Sequence, residues 1–270
     1  MFNELISAIN SIGNYCELEG CPNPHLKHFY KTEFYNEGWV LKLTLALLRE
    51  MALKTSNGQN IGIIKDALRK GWMSEGRLSA AFTREQCTHA DAVLGDIAVE
   101  SHWGVTLNKD AQHFAIIEAK LGSKLADGTK NSTKTYSQAA RNVACMAYAM
   151  LKANLAQDFR AHFFVLLPKS ECHNIQDAKL KTENAISCIK NETQNNAKHK
   201  LRLDHPSDIE PWLEKIETHV VTWEDLFDEM ESDASSMKDR LKALRAFYTN
   251  ALKANGLPID ATTVNATGTM

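Results

Sequence analysis

The sequence predicts an α/β fold, a central mixed β-sheet of antiparallel strands plus a parallel crossover strand, flanked by α-helices. Three observations carry that expectation. Phe114-Ala115-Ile116-Ile117 is an apolar run without alternation, which suits a strand covered on both faces. Residues 136 to 156 repeat Ala139, Val143, Met146, Ala147 and Met150 at helical spacing. Ala161-His162-Phe163-Phe164-Val165-Leu166-Leu167, closed by Pro168, reads as a second buried strand. Strand, helix and strand form a crossover unit, so 161 to 167 is expected parallel to 113 to 120.

With 270 residues, 44% hydrophobic and 24% charged, the chain is long enough for one large domain with an ordinary globular composition. Residues 1 to 35 are expected to add an N-terminal helix and a loop to that domain. Residues 36 to 257 form the domain proper, with a core at 36 to 170 and a peripheral helical elaboration at 171 to 257. The tail from 258 to 270 is small, polar and expected to be disordered. No stretch approaches about 18 apolar residues, and MFNELISAIN lacks the basic start of a signal peptide. Six cysteines in a chain of this length suggest reduced thiols and a cytoplasmic location rather than a disulfide scaffold.

The elements follow in order. Phe2, Leu5, Ile6 and Ile9 line one side of a helix over 1 to 15. Cys16, Cys21, His25 and His28 come next, with Pro22 and Pro24 among them. Their spacing fits zinc poorly and an ordinary proline-containing loop well. Residues 36 to 54 carry Trp39, Leu43, Leu47 and Met51 at helical spacing, with Glu37 in the first turn. A helix over 58 to 70 ends near Gly71. The later part of 72 to 82 reads as the first core strand. Residues 88 to 99 read as a second strand region that turns at Gly95, and 100 to 112 as a connection. Short links make 88 to 99 and 113 to 120 antiparallel neighbours. Beyond the crossover, 175 to 200 reads as polar helix and His219-Val220-Val221 as a short edge strand. Thr222 with Asp225 resembles a capping box for a helix from Trp223 to Glu231, and a last helix covers 236 to 254.

Net charge is −2, but the charge is unevenly spread. Residues 121 to 160 hold six basic residues, Lys124 among them, against two acids. Residues 207 to 240 hold eleven acids against three bases. The basic stretch would favour a polyanion such as nucleic acid. The acidic part would face away from it or meet a partner, a second copy of the chain or another protein.

Side chains alternate along a strand, so Glu118 and Lys120 point to one face at the end of 113 to 120. Two buried opposite charges are costly unless something uses them. A carboxylate there suits a hard divalent ion such as Mg²⁺ (or Mn²⁺), which wants several oxygen ligands. Asp91, on the preceding strand region with His89 before it, supplies a second carboxylate, and the Ala119 carbonyl a further oxygen. Such a set can polarise a phosphate and stabilise the charge that develops as a phosphodiester is cleaved. Asp96 competes with Asp91. It lies five residues on, facing the other way in an unbroken strand.

Asp91, followed by Glu118-Ala119-Lys120, resembles the bipartite signature of the PD-(D/E)XK, restriction-endonuclease-like nuclease superfamily. Ala90 stands where that signature usually has proline. The chain is also similar to a bacterial group within the superfamily, marked by Asn36-Glu37-Gly38-Trp39, Thr88-His89-Ala90-Asp91, Ile117-Glu118-Ala119-Lys120 and Gln138-Ala139-Ala140-Arg141-Asn142. The resemblance covers residues 36 to 170. It implies a restriction-endonuclease-like core and Mg²⁺-dependent phosphodiester hydrolysis, of DNA rather than RNA. Asp91 and Glu118 would bind the metal, and Lys120 would position or polarise the attacking water. Members often add a glutamate on the first core helix and a polar residue on the helix after the signature strand. Glu37 and Gln138 match those places.

Gln138, Arg141 and Asn142 share one helical face. Arg141 is either a phosphate contact or a salt-bridge partner of Glu37 or Glu118. Tyr136 either stacks on a base or packs in the core, and His89 is either a base or a supporting hydrogen-bonder. Two other readings compete: a nuclease-like module that binds without catalysis, and an unrelated α/β protein in which Glu118 and Lys120 form a plain ion pair.

Overall fold

The computed structural model describes residues 2–15, 31–51, 59–83, 85, 87–100, 104–128, 132–156, 158–195, 200–203, 205–233 and 237–259. Its first half contains α1 (Phe2–Tyr15), α2 (Lys31–Phe34), α3 (Glu37–Met51), α4 (Gln59–Lys70), β1 (Trp72–Ser79) and β2 (Cys87–Gly95). Strands β3 (Ile97–Val99), β4 (Val105–Leu107) and β5 (Phe114–Ala119) follow. The second half contains α5 (Gln138–Ala153), β6 (Ala161–Leu167), α6 (Cys172–Glu183), α7 (Ala185–Asn195) and α8 (Glu210–Leu213). It closes with β7 (Ile216–Thr222), α9 (Trp223–Asp233) and α10 (Lys238–Ala254).

Five strands form one sheet in the order β1-β2-β5-β6-β7. β1, β2 and β5 pair antiparallel, while β5, β6 and β7 pair parallel, so the sheet is mixed as its sequence implies. All six residues of the central strand β5 are buried, the condition its unbroken apolar run anticipates. One face packs Ile116, Phe163 and Val165 against Val143, Met146 and Met150 of α5. The other packs Ile117, Phe164 and Leu166 with Leu43 and Leu47 of α3 and with Trp223, Phe227, Phe247 and Tyr248 of α9 and α10. Alternation along each strand sends neighbouring residues to these two layers.

Several boundaries differ from the sequence-based expectation. β1 starts at Trp72 and ends at Ser79, so it is the earlier part of the stretch, rather than the later, that pairs with β2. The connection at 100 to 112 contains β4, which closes a separate two-stranded ribbon with β3. The segment 171 to 257 is not peripheral. It adds β7 as the outer strand and supplies the aromatic half of one core layer. Ile259, expected in a disordered tail, packs on that layer. Thr222 caps α9 as anticipated, its Oγ1 accepting the Asp225 N–H at 3.1 Å. The cluster Cys16, Cys21, His25 and His28 lies outside the described residues, as does the tail from 260. Among the described residues, no helix is long and apolar enough to cross a membrane.

Gly95 ends β2 for a steric reason. Its φ is +124°, and a Cβ there would stand 2.0 Å from the His113 carbonyl oxygen. Only glycine fits so close an approach. The bend it permits delivers Asp96 to the loop before β5, where Oδ2 accepts the N–H groups of Gln112 and His113, each at 2.9 Å. Asp96 therefore organises the far end of β5, beside Phe114, and Asp91 lies at the Glu118 end.

Candidate active site

The β2–β5 ladder ends at Ala92 and Ile117, which leaves Asp91 across from Glu118 at the carboxyl end of β5. There Asp91 Oδ2 accepts the Ala119 N–H at 2.7 Å, continuing the ladder with a side chain. The Ala119 carbonyl, expected as a metal ligand, takes no part in this contact. No hydrogen bond from the described residues reaches Asp91 Oδ1.

Glu118 is 1% exposed. An isolated carboxylate buried so deeply costs several kcal/mol, about what its Coulombic partners must offset. Three donors meet it. Lys120 Nζ reaches Oε1 at 2.5 Å, Gln138 Nε2 reaches the same oxygen at 2.5 Å, and Asn142 Nδ2 reaches Oε2 at 3.1 Å. The helix that brings the two amides is fixed at its start. Ser137 is the N-cap of α5 and accepts the Ala140 N–H. Gln138 is held to the preceding loop twice, its N–H on the Ala126 carbonyl and its Oε1 on the Ala126 N–H. Lys120 is held by its backbone, since its carbonyl accepts the Trp223 Nε1–H at 3.1 Å and its N–H donates to the Leu166 carbonyl.

Electrostatics bind these groups to two more carboxylates. Burial opposes the Lys120 ammonium, but Glu118, Asp91 and Glu37 outweigh it, and its pKa ends above the ordinary value. Asp91 moves the other way for an acid. Burial first, then the Glu118 and Glu75 charges, push it up to about 7. Glu37, the first residue of α3, does not cap that helix. Asn36 does so, its Oδ1 accepting the Trp39 N–H at 3.0 Å, and Glu37 is left to act on Lys120.

Sequence reasoning missed Glu75. It lies opposite Asp91 between two paired positions of β1 and has a φ of 55°, the left-handed region that non-glycine residues rarely enter. Its Oε1 comes within 3.9 Å of where a Cβ on Gly38 would stand, at the start of α3. A non-glycine residue held in the left-handed region beside a buried charge cluster suggests function, though periodicity alone leaves no trace of it.

The other anticipated residues separate. Tyr136 is fully buried, edge-on to Phe82 at 5.1 Å and 3.5 Å from Glu85, so it packs in the core and does not reach a substrate base. Arg141 makes no ion pair with Glu37 or Glu118. Its charge bears on Tyr136 and Cys145 instead, so of the three polar residues on α5 only Gln138 and Asn142 reach the carboxylate. His89 is exposed, with Nε2 3.6 Å from Cys87 Sγ. Lys124 is exposed in the loop before α5, where it helps lower the Asp127 pKa after the closer Lys181.

Three carboxylates, Glu118, Asp91 and Glu37, thus share one lysine, and a fourth, Glu75, acts on Asp91. Asn142 Oδ1, beside Glu118, is buried with no hydrogen-bond partner. An excess of oxygen donors around the buried Glu118, with a raised carboxyl pKa at Asp91, fits a hard divalent cation. The four carboxylates do not draw together as they stand. Among the described residues, the group of three ligand atoms within 4.8 Å of one another is His162, Glu217 and His219, elsewhere on the sheet. Comparison of the chain with protein-family models, curated proteins and solved structures finds no match.

Proposed function

We propose that the chain is a metal-dependent nuclease with a restriction-endonuclease-like core, hydrolysing phosphodiester bonds in DNA rather than RNA. The observation that carries this reading is a buried Glu118 facing Asp91 across two strands, with Lys120 bonded to it and amides of α5 fixing its plane. Asp91 and Glu118 would hold Mg²⁺ or Mn²⁺, with Glu37 and Glu75 adding negative charge nearby. When bound, such an ion supplies Lewis-acid polarisation of a phosphoryl oxygen.

The chain's own groups divide the remaining work. A raised pKa keeps Lys120 protonated, so it donates: it orients a water or holds the negative charge that builds on a phosphate. Without an ion, burial and the neighbouring Glu118 and Glu75 charges raise the Asp91 pKa to about 7, a repulsion that a bound cation would relieve. The preference for DNA follows the signature resemblance, and the basic stretch around Lys124 and Lys134 supports a polyanionic substrate.

One observation favours a nuclease-like module without catalysis. Both Glu118 oxygens and one Asp91 oxygen already take donors from the protein. Incubation with plasmid, linear and single-stranded DNA, and with RNA, in Mg²⁺ or Mn²⁺ separates the readings. Glu118→Gln and Lys120→Ala are each expected to lower cleavage about 10²–10³-fold. Cleavage that survives both changes rules this site out as its source. Binding of DNA by the wild type with no cleavage supports the non-catalytic module.

A further inference from the structure

At the opposite end of the parallel strands, three side chains outside that site converge. His162 is the second residue of β6, and the β6–β7 register sets it beside Glu217. Residues 217 and 219 lie on one face of β7, so His219 joins them. One ligand atom from each residue lies within 4.8 Å of the other two. His162 Nδ1 stands 3.1 Å from His219 Nε2 and 3.7 Å from Glu217 Oε2. Ligands bound at about 2.0–2.1 Å to a tetrahedral ion are about 3.3 Å apart, so these separations bracket what one ion needs.

The cluster is also held in place. The His219 ring stacks on Phe164, with centroids 4.5 Å apart and planes 17° from parallel. Burial holds both imidazoles below their ordinary pKa, favouring the neutral form that a metal ligand needs. The Glu217 side chain is 55% exposed and leaves the cluster open to solvent. His162 also lines a cavity of about 120 Å³, with Asp66, His113 and Arg160 among its other walls and room for water.

We propose that His162, Glu217 and His219 bind one divalent transition-metal ion of the zinc type and that the ion fastens the outer strand β7 to β6. Two imidazoles are borderline donors and, with one carboxylate, form a set that favours Zn²⁺, Co²⁺ or Ni²⁺ over Mg²⁺. Three protein ligands leave a fourth position for water. The ion replaces the contact between the two rings, and His162 then carries its proton on Nε2. The gain falls on the strand with a neighbour on one side only. This site is independent of the nuclease reading, since its donors lie at the other end of the strands and on the α4 side of the sheet.

The test is titration of the metal-stripped full chain with Zn²⁺ and Co²⁺ in millimolar Mg²⁺, followed by calorimetry and by Co²⁺ visible absorption. Wild type is expected to bind one equivalent that His219→Ala lacks and that Glu217→Gln holds about tenfold or more weakly, while Asp91→Asn binds as wild type. Glu217→Gln keeps the shape of an exposed side chain, so its weakening does not depend on His219→Ala remaining folded. Three results overturn the proposal: no binding at micromolar metal, binding unchanged in both variants (as when Cys16, Cys21, His25 and His28 hold the ion), or loss in Asp91→Asn alone.

Discussion

At the carboxyl end of β5 a carboxylate 1% exposed takes three donors, while at the amino end of β6 two imidazoles and a half-exposed carboxylate share one short ring contact. The first end sets three carboxylates around one lysine, with Glu75 beside Asp91, and raises Asp91 to about 7. The second keeps its bases neutral by burial. One sheet thus carries a charged, oxygen-rich site and a neutral, nitrogen-rich one, and the two should differ both in metal preference and in what they cost the fold.

The largest expected difference is in stability. Glu118→Ala strands Lys120, Gln138 and Asn142 without their acceptor and should cost about 3–5 kcal/mol in denaturant unfolding. Glu217→Ala, at an exposed side chain, should cost less than about 0.5 kcal/mol in metal-free protein. Equal costs would mean that the three donors around Glu118 find other partners and that the contrast between the ends is false.

The two ends should also respond to pH with opposite sign. Asp91 binds its proton more tightly folded than unfolded, so between about pH 4 and 7 the native state holds more protons and stability falls as pH rises. The lowered histidines lose stability as pH drops below about 6.5, because the unfolded chain then binds more protons. Asp91→Asn keeps an acceptor for the Ala119 N–H and removes the repulsion. With chelator present it should be more stable than wild type by about 2 kcal/mol above pH 7, with the gain vanishing near pH 4. A gain independent of pH, or a loss at every pH, would show that Asp91 is not strained by its neighbours.

How much of this could be read from sequence depends on where each residue's position is decided. Glu118 and Lys120 were legible because one strand sets both, and Gln138 with Asn142 because one helix does. Asp91 needed a pairing between adjacent strands with a short link, which the sequence also suggested, and Gly95 then removed Asp96. Tyr136 was ambiguous because a residue before a helix start has no periodicity to place it. Arg141 shares the spacing of Gln138 and Asn142, yet a helical face is broad enough for its charge to fall toward Tyr136. The His162, Glu217 and His219 cluster was hidden because a parallel register between strands far apart in the chain assembles it. Glu75 was hidden because its left-handed φ breaks the alternation by which strands are read.

Glu75 offers the smallest effect. Glycine adopts its backbone freely, so Glu75→Gly relieves a cost of about 1–2 kcal/mol for the left-handed conformation and adds about 0.5–1 kcal/mol of unfolded-state entropy. It also removes a charge that raises Asp91. The two contributions separate in a double-mutant cycle with Asp91→Asn. The backbone part, about 0.5–1 kcal/mol of stabilisation, should persist in both backgrounds, whereas the electrostatic part should appear only where Asp91 is present and only above about pH 4. If Glu75→Gly is destabilising in both backgrounds, the side chain holds β1 against α3 and its kinked backbone is a packing solution. If it stabilises the fold while lowering cleavage, the strain serves the site, and the oxygen-rich end of the sheet is kept at the fold's expense.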